Sequence, residues 1–185
     1  LASRLTIGET YFFRDQGSFT FLAYHILPDL LATRQHGNRQ LRLWSAGCAS
    51  GEEAYSLAIT LHQIIRHLHE WHITLLATDI NPQALAKARR GIYSAWSFRG
   101  VPDRVRDIYF TPLDGNHWEI KPWIKQLVSF AELNLATDPF PAPSTNTHDL
   151  DLIICRNVLM YLGPAVAKRI IGNFNAALRE GGWLL

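Results

Sequence analysis

The sequence predicts an α/β domain in which a parallel sheet carries helices on both faces. Three observations support this. The apolar runs 42–46 and 73–78 each lead through a turn into a helical period, at 53–68 and 82–90. Two further strand-like runs follow at 128–133 and 150–155, and the period 164–179 opens on proline and ends at glycines, as helices do. Alternation of this kind builds parallel strands joined by crossovers that pack on the sheet.

Taken in order, the first strand runs into Gly47-Cys48-Ala49-Ser50-Gly51, a turn of small residues, and then into a helix whose first turn holds Glu52 and Glu53. The second strand ends at Asp79, and Asn81-Pro82 begins its helix. The stretch 91–126 breaks the rhythm. Within it, "RDIYFTPLDGNHWEIK" places two β-like runs around Asp114-Gly115-Asn116, which predicts a small antiparallel β-hairpin subdomain inserted at about 105–127. "DPFPAPSTNTHD" is a proline-rich loop before the fourth strand. Gly181-Gly182 turn toward another strand just before Leu185, and Leu1 is not methionine, so we expect a longer natural protein with the last strands of the sheet missing here.

Composition narrows the class. A chain of 185 residues, 48% apolar and 18% charged, suits one domain with its own core, spanning 1–185. The net charge is +2, and basic residues are scattered apart from Arg89-Arg90 and the region of Arg99, Arg104 and Arg106, so we expect no nucleic-acid partner. Cys48 and Cys155 each end a strand and build no disulfide framework, which points to a reducing compartment. No signal peptide is visible and no apolar run approaches the ~20 residues that span a bilayer, so we expect a cytoplasmic protein without membrane insertion.

Ligands of such sheets sit at the carboxyl ends of the strands, which selects residues 47–53, Asp79, Asn134-Leu135 and Arg156-Asn157. A helix N-terminus attracts anions, and phosphate-binding loops keep that end free of acids. Glu52 and Glu53 would repel a phosphate, and the chain contains neither G-x-G-x-x-G nor G-x-x-x-x-G-K-S/T. A cationic nucleoside fits better. Asp79, at a strand end, suits the hydroxyls of a ribose, although it also suits a cap for the helix at Pro82. The two glutamates also complement the helix dipole without any ligand. Arg156-Asn157 read equally well as ligand groups or as a salt bridge plus a helix cap, and Tyr161 either shares a helix face with Asn157 or packs. His67, His69 and His72 end a helix without metal-ligand spacing, and we expect no metal.

The motifs "GETYFFRD" (8–15), "WSAGCASGEEAYSLAI" (44–59), "ATDINPQALAKARRGIYS" (77–94), "AELNL" (131–135) and "DLIICRNVLMYL" (151–162) occur in one order along the whole chain. Together they resemble the CheR-type chemotaxis methyltransferases, which use S-adenosylmethionine to methylate glutamate side chains of chemoreceptors. The resemblance implies a Rossmann-like class I methyltransferase sheet. It implies that Thr10, Arg14, Glu53, Asp79, Asn134, Leu135, Arg156 and Asn157 line the S-adenosylmethionine site, that Arg14 and Tyr161 face the reacting methyl group, and that Glu52 stays a first-turn acid. S-adenosylhomocysteine is the implied product, and the implied partner is a chemoreceptor's cytoplasmic helices or another protein substrate.

The sequence departs from the family pattern at Gly8, where asparagine is usual, and at Ala54, where proline is usual, and we expect the family's small N-terminal helical domain to be absent. The run "TPLDGNHWEIK" is short, which argues against docking on a receptor's tether peptide and for direct engagement of the substrate. A glutamate, with an ordinary pKa of ~4.3, is ionised at neutral pH, so the implied transfer needs orientation more than a base. Three other readings stay open: a related methyltransferase with another substrate, a non-catalytic S-adenosylmethionine-binding module, and a dinucleotide oxidoreductase.

Overall fold

The computed structural model describes residues 10–35 and 37–185. Gly8 lies outside the described residues. Helices α1 (Gln16–Phe21) and α2 (Leu27–Arg34) are joined without a break by a π-helical turn, Leu22–Ile26. The main sheet uses β1 (Gln40–Ala46), β2 (His72–Asp79), β6 (Val128–Glu132), β7 (Leu150–Ile154) and β8 (Leu178–Leu184), all parallel, in the order β6-β2-β1-β7-β8. Helices α3 (Glu52–Ile64), α4 (Pro82–Arg90) and α7 (Pro164–Ala177) are the crossovers after β1, β2 and β7. Because the chain leaves β1 toward β2 on one side and meets β7 on the other, the strand order reverses at β1. Such a switch point opens a crevice above the carboxyl ends of the strands.

Period-two alternation explains the two-sided core. In β1, Leu41 and Leu43 face a cluster that includes Tyr55, Leu57 and Leu61 of α3, while Trp44 and Ala46 face one that includes Ile170 and Phe174 of α7. Leu43 pairs with Leu75 and with Leu152, so the centre of the sheet is apolar on three adjacent strands. No helix among the described residues is long and apolar enough to cross a membrane.

The strands were legible, but several boundaries and one strand differ from expectation. Helix α3 stops at Ile64 instead of 68, because Ile65 turns extended and Leu68–Glu70 form a separate 3-10 turn. Helix α7 ends at Ala177, and β8 starts at once, so Gly181-Gly182 lie inside the strand and not ahead of it. The β7–β8 register shifts there, and a Cβ on Gly182 would come within 2.9 Å of the Leu150 carbonyl oxygen. The inserted unit is also larger than a hairpin. β4 (Phe110–Leu113) and β5 (His117–Ile120) are joined by β3 (Ile92–Ser94) in a three-stranded antiparallel sheet, with α5 (Asp103–Tyr109) before it and α6 (Pro122–Lys125) after it. Its turn uses left-handed Gly115 and Asn116, as a tight hairpin requires.

That subdomain shares the core of the main sheet. Phe12, 1% exposed, packs its ring against Tyr93, Phe98 and Phe110 with centroids 4.8, 5.0 and 4.9 Å away. Its amide donates to the Ser97 carbonyl at 2.9 Å. The first motif is thereby pinned by an aromatic anchor, which leaves its neighbours Tyr11 and Arg14 at the mouth of the crevice.

Candidate active site

A cavity of about 430 Å³ opens at the carboxyl ends of β1, β2, β6 and β7. That volume lies in the range of roughly 300 to 1,000 Å³ usual for small-molecule sites. Its wall includes Thr10, Arg14, Glu53, Asp79, Asn134, Leu135, Arg156, Asn157 and Tyr161, so the residues singled out in five separate motifs meet around one space. Apolar surface comes from Phe19, Ile80, Ala84, Leu133, Val158 and Leu162.

The floor is the turn after β1. Gly47 and Cys48 both donate their amides to the Thr78 carbonyl, at 2.8 and 2.9 Å, which bends the chain sharply off the strand end. Gly47 sits at φ +84°, and a Cβ there would meet Val158 at 2.4 Å, so only glycine lets the two loops close on each other. Ala49 is also left-handed, at φ 47°. A non-glycine residue in that region costs energy unless its surroundings enforce it. Here the enforcement is Asp79: its Oδ2 accepts the Ala49 amide at 2.8 Å, while Oδ1 accepts the Asn81 amide at 2.8 Å. Asp79 thus ties the first turn to the second and lines the cavity. The helix cap is Asn81, whose Oδ1 accepts from the Gln83 and Ala84 amides, so the capping reading of Asp79 falls.

The two glutamates part company. Glu53 faces the cavity, half-buried, and its carboxylate accepts from the Ser45 hydroxyl at 2.8 Å. Burial pushes its carboxyl up from the ordinary value; the Ser45 hydroxyl and the charges of Arg156 and Arg14 pull the other way. Glu52 is 1% exposed and points away from the cavity. Glu52 lies in the first turn of α3, as expected, and is a core carboxylate, because residues one apart on a helix lie about 100° apart and the next face meets the core.

Arg156 combines its two readings. Nη1 donates to the Arg14 carbonyl at 2.8 Å and Nη2 pairs with Asp15 at 3.1 Å, so the guanidinium staples the first motif to the end of β7 while lining the cavity. Asn157 takes left-handed backbone at φ 57° and does not cap α7, whose cap position is Gly163. Asn157 and Tyr161 share no α-helical face either, since only the 3-10 turn Leu159–Tyr161 forms there; Tyr161 stands 58% exposed at the rim. On the opposite wall Asn134 closes a tight turn, its Oδ1 accepting the Ala136 amide at 2.9 Å, with Leu135 nearly buried beneath it.

Sequence reasoning missed Tyr11, Ser45 and the apolar wall. Tyr11 lines the cavity and stacks beneath the Arg99 guanidinium, 3.8 Å from its ring centroid. Ser45 had a signal: a hydroxyl at the end of an apolar strand, eight residues before the acid that it holds.

The chain matches the family model described as CheR methyltransferase, SAM binding domain, over residues 8–185. It is 34% identical over 187 residues to a chemotaxis protein methyltransferase of Borreliella burgdorferi, covering 100% of this chain and 65% of that protein. It is 34% identical over 188 residues to a probable chemotaxis protein methyltransferase of Rhizobium etli, covering 100% of this chain and 68% of that protein. The chain thus spans about two thirds of the length of these relatives. Among solved structures, the DszA carbon methyltransferase superposes with a TM-score of 0.54 at 15% identity, covering 91% of this chain and 34% of that one, which marks the class I methyltransferase fold. On the family model and on these identities across its whole length, the chain belongs to the CheR methyltransferases and corresponds to their S-adenosylmethionine-binding domain.

Proposed function

We propose that this chain binds S-adenosylmethionine in the cavity above β1, β2, β6 and β7 and passes its methyl group to glutamate carboxylates of chemoreceptor proteins. The observation that carries the reading is the treatment of the carboxylates. Glu53 and Asp79 border the cavity and are held by a hydroxyl and by backbone amides, all neutral donors, so their charge is available to a cationic ligand. A nucleoside with an ammonium and a sulfonium, and no phosphate, matches that donor set. The apolar wall suits its adenine ring.

In this reading Asp79 accepts the ribose hydroxyls with the lone pairs left over from the Ala49 and Asn81 amides, and Glu53 faces the ammonium. Thr10, Asn134, Leu135, Arg156 and Asn157 complete the binding wall. When bound, the cofactor supplies an electrophilic methyl group whose bond to sulfur breaks as a bond to the carboxylate oxygen forms, leaving a methyl ester and S-adenosylhomocysteine. Arg14 and Tyr161, both in the cavity lining, orient the incoming carboxylate. Holding oxygen and carbon ~3 to 3.5 Å apart in line supplies several kcal/mol of the barrier, and no base is needed because the nucleophile is already ionised. Arg156 fixes the Arg14 backbone through its carbonyl. The three-residue turn Asp114-Gly115-Asn116 supports direct engagement of the substrate over docking on a tether peptide.

The test uses the purified chain, methyl-labelled S-adenosylmethionine and the cytoplasmic fragment of a chemoreceptor. Base-labile label on the fragment, lost when its methylatable glutamates are replaced by alanine, is the expected result. Label that resists base, or no transfer while S-adenosylhomocysteine still binds, would reject glutamate methylation.

A further inference from the structure

We propose that Glu52 is a positioning residue that fixes the distance between the two walls of the cofactor cavity; the inference rests on the cofactor reading above. Glu52 does not line the cavity. Its Oε2 accepts the Ser50 hydroxyl at 2.7 Å, and its Oε1 accepts the Ser97 hydroxyl at 3.1 Å. Ser50 belongs to the turn whose Gly47, Cys48 and Ala49 form one wall. Ser97 belongs to the 3-10 turn Ala95–Phe98, and its carbonyl accepts the Phe12 amide. A second arm leaves the same residue from its backbone. The Glu52 carbonyl accepts the Ser56 hydroxyl at 2.6 Å, and Ser56 Oγ in turn accepts the Phe13 amide at 2.9 Å.

Two consecutive amides of the first motif therefore hang, each through one serine, from a single glutamate. The segment they hold carries Tyr11 and Arg14, which form the facing wall.

The residue type follows from the donor count. The two hydroxyls donate to different oxygens of Glu52, one on each side, and a carboxylate accepts at both, whereas a glutamine would turn an N–H donor toward one of them. A role limited to the helix dipole would not need burial, since an exposed acid serves the dipole equally well and avoids the cost of desolvation. Burial does push the Glu52 carboxyl up, against the pull of the Ser50 and Ser97 hydroxyls and the Lys87 charge, so the position retains the acid despite an unfavourable setting.

The experiment pairs amide hydrogen exchange without ligand with S-adenosylhomocysteine calorimetry, on the wild-type chain, Glu52→Ala, Glu52→Gln, Ser97→Ala, Arg14→Ala and Ser97→Ala/Arg14→Ala. Ser97→Ala is the mild variant that keeps the test valid should Glu52→Ala fail to fold. We expect the Phe12 amide to exchange about tenfold faster in Glu52→Ala and Ser97→Ala, with the Phe13 amide, held through the Glu52 backbone carbonyl, and the β1 amides unchanged, and Glu52→Gln to fall between. We expect Ser97→Ala to weaken S-adenosylhomocysteine about tenfold in the wild-type background and hardly at all beside Arg14→Ala, because residues acting through one another are not additive. Unchanged exchange at Phe12, or an equal loss of affinity in both backgrounds, would overturn the proposal. Absence of binding by the wild-type chain would overturn the cofactor reading instead, while the exchange rates, taken without ligand, still decide whether Glu52 ties the two walls.

Discussion

At the amino ends of the strands Asp151 is fully buried, with its Oδ1 at 3.0 Å from Arg34 and 3.5 Å from Arg179 and its Oδ2 accepting the Arg42 amide at 2.8 Å. At the carboxyl ends Glu53 and Asp79 meet a serine hydroxyl and backbone amides, and among the described residues neither is within ion-pair distance of an arginine. The first arrangement cancels a charge with side chains of the protein itself. The second holds the carboxylates in place by dipoles, with Arg156 and Arg14 acting on Glu53 without forming an ion pair, and leaves room for a cation that arrives. The difference between an internal ion pair and a preorganised acid held by neutral donors separates an end that stabilises from an end that binds.

The comparison breaks most visibly at Asp151. Asp151→Ala strips the shared partner from two half-buried arginines and is expected to cost about 3 kcal/mol, or roughly 6 to 12 °C in Tm by thermal unfolding, with S-adenosylhomocysteine affinity in the surviving folded protein unchanged. Asp79→Ala reverses the pattern. It removes a charged acceptor from the cavity and is expected to weaken S-adenosylhomocysteine by about 10- to 100-fold in calorimetry, with a smaller loss of Tm from the two freed amides. If the two variants behaved alike, the division between the ends would be wrong.

Glu53→Gln sharpens the comparison through pH. Burial raises the Glu53 carboxyl above its unfolded value, so in the window from the ordinary carboxylate range up to the raised value the folded state binds more protons than the unfolded one. The stability of the wild-type chain then falls as pH rises through that window, and the glutamine variant should lose this part of the slope in Tm measured from pH 4 to 8. The same variant should bind S-adenosylhomocysteine about tenfold more weakly at neutral pH, because the proposed charged partner of the ligand's ammonium would be gone. A smaller effect is expected at the rim. Tyr161→Phe removes one exposed hydroxyl and should lower methyl transfer severalfold with cofactor affinity intact, whereas Arg14→Ala should lower turnover more than affinity. Equal losses in affinity and turnover for Arg14→Ala would make Arg14 a cofactor residue alone.

The ordering of strands and the turn at 47–51 were legible because glycine, proline and apolar periodicity are local signals. Asp79 was legible for the same reason, as an acid at a strand end one βα unit after a small-residue turn. What stayed hidden depends on partners far along the chain. Which of two adjacent glutamates faces the cavity came from the family resemblance and not from any local pattern, and it is decided by a serine eight residues before one and a serine 45 residues after the other. Asp151 reads as one acid within an apolar strand, and its partners Arg34 and Arg179 lie in other elements. Strand β3 is three residues long and exists only because β5 pairs with it, too short for any periodicity to announce.

On this reading the carboxyl end of the sheet keeps acids held by neutral donors for a cationic nucleoside. The reading is tested most directly by titrating the chain with S-adenosylhomocysteine and, separately, with NAD, beside Asp79→Ala. Micromolar binding of S-adenosylhomocysteine, lost in the variant, with no heat from the phosphate-bearing dinucleotide, is the predicted result; binding of NAD, or S-adenosylhomocysteine affinity untouched by the substitution, would contradict it.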